Sequence, residues 1–241
     1  MQKNIHHKEF SSIVILTGAG ISAESGLKTF RDQNGLWENH RVEDIASPEG
    51  FQRNPSMVYN FYNERRKQLL SQEVRPNKGH LALALLEEKF QGHTKLITQN
   101  VDDLHERAGS KNILHMHGEL LKMRCQSSNE VFFTNERFDE LTQCSCCKET
   151  GTLRPHIVWF GEVPFHMDNI QRILKECDLF LSIGTSGQVY PAAMFMQLAR
   201  ENGAFTIEIN KEPTANSPLF DKTLYGQAGE ILPKFISNFL T

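Results

Sequence analysis

Four groups of residues in this chain have types and spacings that suit chemistry. The first is the glycine run in "SSIVILTGAGISAESG", where Gly18 and Gly20 match the first two positions of G-x-G-x-x-G/A and Ala23 the third. Such a turn lets backbone N–H groups approach a pyrophosphate at a helix N-terminus; with no ligand it is simply a tight turn. The second is the pair His115 and His117 in "NILHMHGEL". An imidazole titrating near neutral pH beside a sugar hydroxyl suits general-base work, and a histidine buried for packing is the other reading. The third is cysteine. Cys144 and Cys147 form a C-x-x-C knuckle, but three residues after Cys125 stands Ser128, a poor zinc ligand. Cys125, Cys144 and Cys147 as three ligands, a set rearranged around Cys146, or no metal all satisfy the sequence. The fourth is Arg65 in "VYNFYNERR". On a helix turning about 100° per residue, Val58, Phe61, Tyr62 and Leu69 share a face with Arg65 in its middle. A guanidinium on a core-bound face needs a partner, either an acidic side chain elsewhere or the acid group of a ligand.

The elements that must position these groups are legible in outline. A chain of 241 residues forms one large α/β domain or one domain with a smaller insert. With 39% hydrophobic and 23% charged residues and a net charge of -3, it has an ordinary globular composition and no basic surplus for nucleic acid. The N-terminal stretch "MQKNIHHKEF" lacks the apolar run of a secretion signal, and no segment approaches the ~18 apolar residues of a membrane span. A cytoplasmic protein away from membranes is therefore expected, and a monomer is the expected state, although nothing in the sequence fixes it. Five cysteines, four of them close in sequence, then suggest metal in place of disulfides, with Cys177 a core thiol.

Short β-rich runs end in small or polar residues: "SSIVILT" into Gly18, "KLIT" into Gln99, "DLFLSIG" into Thr185 and "FTIEI" into Asn210. "HLALALLEEKF" and "PAAMFMQLAR" have helical spacing between them, so a parallel sheet follows, with ligands expected outside the carboxyl ends of its strands. The segment 36–75 shows no strand signal, and "NPSMVYNFYNERRKQLL" opens with Asn54 as N-cap and Pro55 at the first helical position. The fold class expected is α/β: a Rossmann-like parallel sheet with helices on both faces (1–35, 77–118 and 159–241). A smaller inserted unit, helical over 36–76 and cysteine-bearing over 119–158, packs against it. No acidic residue ends a second strand about 20 residues past the glycine loop, where a dehydrogenase would hold the adenosine ribose; the chain runs instead into "KTFRDQNGLW".

Taken together, these stretches closely resemble the sirtuin family of NAD-dependent protein deacylases, from Ile13 to about Gly229. "TGAGISAESGLKTFR" resembles the cofactor loop, "TQNVDDLHERAG" the nicotinamide and ribose segment, and "HMHGEL" the segment of the catalytic histidine. "RPHIVWFGE" and "GTSGQVYP" resemble the strands that clamp the substrate backbone, and "IEINKEPT" the adenosine-ribose contact. The resemblance implies that NAD is consumed as co-substrate and that no hydride moves. It implies His117 as general base with Asn100 and Asp102 holding ribose and nicotinamide. It implies NAD contacts from Gly18, Ala19, Gly20, Ser22, Ala23, Phe30, Arg31, Trp37, Gln99, Val101, Gly184, Thr185, Ser186, Asn210, Lys211, Glu212 and Ala228. It further implies substrate contacts from Val158, Phe160, Gly161, Glu162, Gly187, Val189 and Tyr190, and one structural zinc on the cysteines. Tyr62 and Arg65 match the Y-x-x-R pair of sirtuins that prefer succinyl- and malonyl-lysine, and Ala46 fits this subgroup. The expected activity is removal of acetyl, succinyl and malonyl groups from protein lysines. Mono-ADP-ribosyl transfer and an inactive NAD-sensing scaffold are the rival readings.

Overall fold

A computed structural model describes residues 10–27, 36–37 and 40–241, with the backbone alone for 36 and 37. The elements follow in chain order. They begin with β1 (Ser12–Thr17), β2 (Leu36–Trp37), β3 (His40–Arg41), α1 (Val42–Ile45), α2 (Pro48–Arg53), α3 (Pro55–Leu69) and α4 (Lys78–Lys89). Then come β4 (His93–Thr98), α5 (Leu104–Ala108), β5 (Ile113–His115), β6 (Gly118–Cys125), β7 (Val131–Phe133), β8 (Leu153–Ile157) and α6 (Met167–Glu176). The chain closes with β9 (Leu179–Ile183), α7 (Phe195–Glu201), β10 (Phe205–Asn210), β11 (Lys222–Tyr225) and α8 (Ala228–Leu240).

The main sheet among the described residues has the order β11-β10-β9-β1-β4-β5, and every pairing in it is parallel. Strands buried on both faces read as continuous apolar runs, and Ile13 to Leu16 are all buried. One face packs Leu83 and Leu86 of α4 and Leu232, Ile236 and Phe239 of α8 against Ile13, Ile15 and Ile207. The other packs Ile170 and Leu174 of α6 and Phe195 and Ala199 of α7 against Val14, Leu16 and Phe180. The chain leaves β1 for β4 and β5 on one side, then returns to β9 and β10 on the other. The order therefore reverses at β1 and β9, the crevice where such sheets hold ligands.

A third apolar cluster joins Val58, Tyr59, Phe61, Tyr62 and Leu69 of α3 to Leu120, Cys125, Cys144, Leu153 and Trp159 around the antiparallel sheet β7-β6-β8. Helix α3 starts as its sequence dictates: the Asn54 side chain accepts from the Met57 N–H at 3.1 Å, and Pro55 follows the cap.

Three local differences from the sequence expectations have physical causes. The segment read as lacking strands carries the two-residue ladder β2–β3, too short to leave a periodic signal. The segment after the glycine turn is a 3-10 helix, Ala19–Ser25, closed by Gly26 at φ +84. "PAAMFMQLAR" divides into a 3-10 turn, Ala192–Met194, and α7.

Candidate active site

The carboxyl ends of β1, β4, β9 and β10 open onto one cavity of about 790 Å³. Gly18, Ala19, Gly20, Ser22 and Ala23 line it after β1, and Gln99, Asn100, Val101 and Asp102 after β4. Gly184, Thr185 and Ser186 line it after β9, Asn210 and Lys211 after β10, and Ala228 at the start of α8. The glycines are needed for backbone approach. The Gly20 N–H donates to the Gly184 carbonyl at 2.9 Å, and a Cβ on Gly20 would lie 2.7 Å from the Gly184 Cα. The two loops therefore cross backbone against backbone at the switch point, with the Gly18 and Gly20 N–H groups spent on the Ile183 and Gly184 carbonyls, and their close approach leaves room for a dinucleotide in the cavity above. Glu212 is exposed and lies outside the cavity lining, because the chain turns outward after Lys211. Phe30 and Arg31 lie outside the described residues, as does the Trp37 side chain.

The cavity floor carries a buried polar network. The Asn100 side-chain amide donates to Ser22 Oγ at 3.1 Å, and Ser22 Oγ donates to Asp102 Oδ2 at 3.0 Å. His80 Nε2 approaches the same hydroxyl at 3.4 Å, while its Nδ1 accepts from the Asn77 N–H at 3.3 Å and so caps α4. Burial pushes His80 down to about 4, so its ring is neutral and Nε2 carries the proton. Deeper still, His105 Nε2 meets Thr17 Oγ1 at 3.0 Å, and Thr17 bonds Thr98 at 2.9 Å. The sequence reading missed His80 and His105. A histidine three residues after the Asn77 cap was the available signal.

Asp102 is the strained member of this network. Burial raises its carboxyl from 3.8 to about 6, although the Leu104 N–H and Ser22 hydroxyl work in the opposite direction. A carboxyl whose folded value is raised costs stability above that value and nothing below its unfolded value. A shift of this size is on the order of 3 kcal/mol. Asp102→Asn is therefore expected to raise the melting temperature at pH 7, with the gain vanishing below about pH 4. Thermal melts of both proteins across that range check it; a gain that persists in acid would mean that charge is not the cause.

His117 lines the same cavity. Its Nδ1–H donates to the Gln99 carbonyl at 3.1 Å, which leaves the Nε2 lone pair as the basic atom. Burial lowers its pKa and the Gln99 bond only partly opposes this, so the ring is neutral at pH 7. That is the state a general base needs.

The cavity continues between α3 and the segment after β8, where Ala46, Tyr62, Arg65, Gln68 and Leu69 face Val158, Trp159, Phe160, Gly161 and Glu162. Val189 and Tyr190 border its mouth. Gly187 is not in the lining: it sits at φ +64 with its carbonyl held by the Asn216 amide at 3.0 Å. The Tyr62 hydroxyl accepts from Trp159 Nε1–H at 2.9 Å, and burial raises its pKa, so it stays a neutral hydroxyl. The Arg65 guanidinium donates to Gln68 Oε1 one turn along.

Arg65 is half-buried, not central to the packed face. The guanidinium at the heart of that face belongs to Arg66, 1% exposed, which donates to the Leu120 and Glu136 carbonyls and to Asn63 Oδ1 and lies 5.0 Å from the Phe138 ring. Tyr59, also buried, widens the packed face toward Arg66 and leaves Arg65 at the cavity edge. Glu162 is likewise engaged: Arg154 grips both of its oxygens at 2.7 and 3.0 Å, and Arg124 adds a third contact at 3.2 Å.

Cys125, Cys144, Cys146 and Cys147 place their sulfurs within 4.8 Å of one another. Cys146 is thus a fourth candidate ligand beyond the three expected from spacing. The Cys125–Cys147 sulfurs are 3.8 Å apart, the edge of a tetrahedron built on Zn–S bonds of about 2.3 Å. Ser128 Oγ lies 3.2 Å from the Cys146 sulfur, at the edge of this cluster. Four thiols, two of them fully buried, fit a closed structural zinc site.

The chain matches the sequence profile of the Sir2 family over residues 18–191. It is 57% identical over 228 residues to an NAD-dependent protein deacylase of Pasteurella multocida, covering 95% of this chain and 97% of that one. It is also 57% identical over 231 residues to a deacylase of Leishmania major, covering 95% of each. A crystal structure of a Sir2 homologue–NAD complex superposes with a TM-score of 0.88 at 39% identity, covering 98% of this chain and 93% of that one. A Sir2 homologue bound to a myristoylated histone peptide superposes at 0.74 and 32% identity, covering 97% and 92%. With its glycine loop, neutral histidine and cysteine module in one frame, this chain belongs to the Sir2 family.

Proposed function

We propose that the chain is an NAD-dependent protein-lysine deacylase whose acyl pocket accepts acetyl, succinyl and malonyl groups. What carries the reading is one continuous cavity with three kinds of wall: the glycine loop at one end, neutral His117 in the middle, and Tyr62 with Arg65 at the other end. NAD is consumed as a substrate: nicotinamide leaves C1′ of its ribose, the acyl-lysine carbonyl oxygen attacks there to give an alkylimidate, and once a ribose oxygen has added to the imidate carbon, water releases lysine and O-acyl-ADP-ribose.

The chain's own residues bind, orient and move protons. The Gly18–Gly20 turn, free of side chains at both glycines, lets the pyrophosphate lie close against it, and Asn210 and Lys211 take the adenosine side. Asn100 and Asp102, tied together through Ser22, hold the ribose and the nicotinamide carboxamide. His117 Nε2 accepts a proton from a ribose hydroxyl, directly or by relay, so that the sugar oxygen attacks the acyl carbon. Val158, Phe160, Gly161 and Val189 border the lysine entrance. The unit over 36–76 and 119–158 supplies the acyl end, and Ala46, small and buried, leaves it room.

Arg65→Met, which keeps volume and removes charge, tests the acyl specificity. A charge-assisted hydrogen bond to a carboxylate contributes ~1.5–3 kcal/mol, so kcat/KM for succinyl-lysine is expected to fall roughly 10- to 150-fold. Acetyl-lysine should stay within about threefold, since uniform effects are not expected from a contact to the distal carboxylate. Tyr62→Phe should show a smaller loss in the same direction. Equal losses on both substrates with a lower melting point would make Arg65 structural and leave acetyl removal as the main activity.

A further inference from the structure

The His115 ring has an acceptor on each side. Its Nδ1 lies 3.3 Å from the Asn100 carbonyl oxygen and its Nε2 2.6 Å from Glu106 Oε1. A neutral imidazole owns one N–H and can serve only one of them; the other nitrogen would turn a lone pair against an acceptor. The imidazolium serves both. The ring is 8% exposed, so water cannot cheaply replace either partner. We propose that His115 is held as the imidazolium and acts as a positioning residue, clamping the Asn100 backbone to Glu106 so that the ribose and nicotinamide site keeps its shape only while this proton is present.

The surroundings agree. Burial disfavours the charged ring, but the Glu106 hydrogen bond and charge, with Glu119 on β6 and the Asn100 carbonyl, outweigh it and raise the pKa above the ordinary histidine value. On the same α5, His105 feels the positive ring and is driven further from protonation; in the loop after β4, Asp102 is favoured as carboxylate by it. Lys122 on β6 acts on Glu106 and helps keep that carboxyl ionised. Thus two histidines separated by one residue are held in opposite states, His115 charged to position and His117 neutral to accept.

The clamp is present below the raised His115 value and lost as pH climbs through it. Activity should therefore have an acid limb from His117 and a separate alkaline limb from His115. The acylated lysine has no titrating amine, so with a peptide that carries no other alkaline-titrating group the alkaline limb belongs to the enzyme. The proposal about catalysis rests on Asn100 serving NAD, as read above; the protonation state does not.

The test is nitrogen resonance spectroscopy of the full chain labelled in histidine, together with pH profiles of kcat/KM for NAD, from about pH 6 to about pH 10. At neutral pH the His115 nitrogens should both be protonated, and their titration should coincide with the alkaline limb. Glu106→Gln, at a side chain 41% exposed, should move both downward by ~1 pH unit or more and leave the acid limb in place. A His115 ring already neutral at pH 7 overturns the clamp. So does a titration shifted by Glu106→Gln with no movement of the alkaline limb. An inactive preparation whose His115 still carries both protons would support the clamp while removing the deacylase reading.

Discussion

His117→Ala is expected to fold, to bind NAD and to lose deacylation by roughly 10²–10⁴-fold, the usual contribution of a positioned general base. Folding should survive because the side chain is only partly buried and, among the described residues, its hydrogen bond is to the Gln99 carbonyl, at the cavity wall. NAD binding should survive because the glycine loop is fixed elsewhere, by Gly18 to Ile183 and Gly20 to Gly184. The loss should appear in kcat and kcat/KM together, the pattern of an interaction made in the transition state. Because burial lowers the His117 pKa, the wild-type enzyme should hold its rate below the ordinary histidine value and lose it only as pH falls further. Melting temperature, NAD titration and the rate with acyl-peptide on one preparation check all three statements. Retention of most of the activity would remove His117 from the chemistry.

The parts of this site that were readable in the sequence lie within single short stretches. Gly18, Gly20, Asn100, Asp102 and His117 each follow a strand, and the end of a parallel strand is a fixed address once the alternation of elements is seen. The parts that were not readable depend on which distant residues meet. His80 reaches Ser22 across 58 positions, and Glu162 is gripped by Arg124 from 38 positions away. Arg65 and Arg66 are neighbours on one helix, and periodicity alone puts either on the apolar side. The Leu120 and Glu136 carbonyls and Phe138 select Arg66 for the core, and all three come from beyond residue 119. The metal ligands divide in the same way. A spacing rule finds Cys144 and Cys147, whereas Cys146 enters because its turn brings its sulfur within 4.8 Å of Cys125 at the end of β6.

That geometry leads to the second large effect. Replacing Cys146 by Ala is expected to weaken zinc retention as severely as replacing Cys144, while Ser128→Ala keeps the metal. The reason is chemical: a thiolate is a zinc ligand and a serine hydroxyl is a poor one. Each thiolate ligand should matter more than the ~10–100-fold typical of an outer-shell partner. Structural zinc contributes apparent binding energies of about 10–16 kcal/mol in small peptides, comparable to the total stability of ordinary domains at ~5–15 kcal/mol. Stripping the ion should therefore unfold β6, β7 and β8. Cys125 and Cys144 share an apolar cluster with Phe61, Tyr62 and Trp159, so the acyl end of the cavity would collapse with them. The cavity's other end rests on β1, β9 and α8 and should keep its NAD affinity better than its deacylase rate. Metal analysis, melting curves and NAD titration of the wild type, Cys144→Ala, Cys146→Ala and Ser128→Ala decide it. If Cys146→Ala retains a full equivalent of zinc and melts with the wild type, the fourth ligand is not Cys146. Loss of metal from Ser128→Ala would place the serine oxygen in the coordination sphere instead.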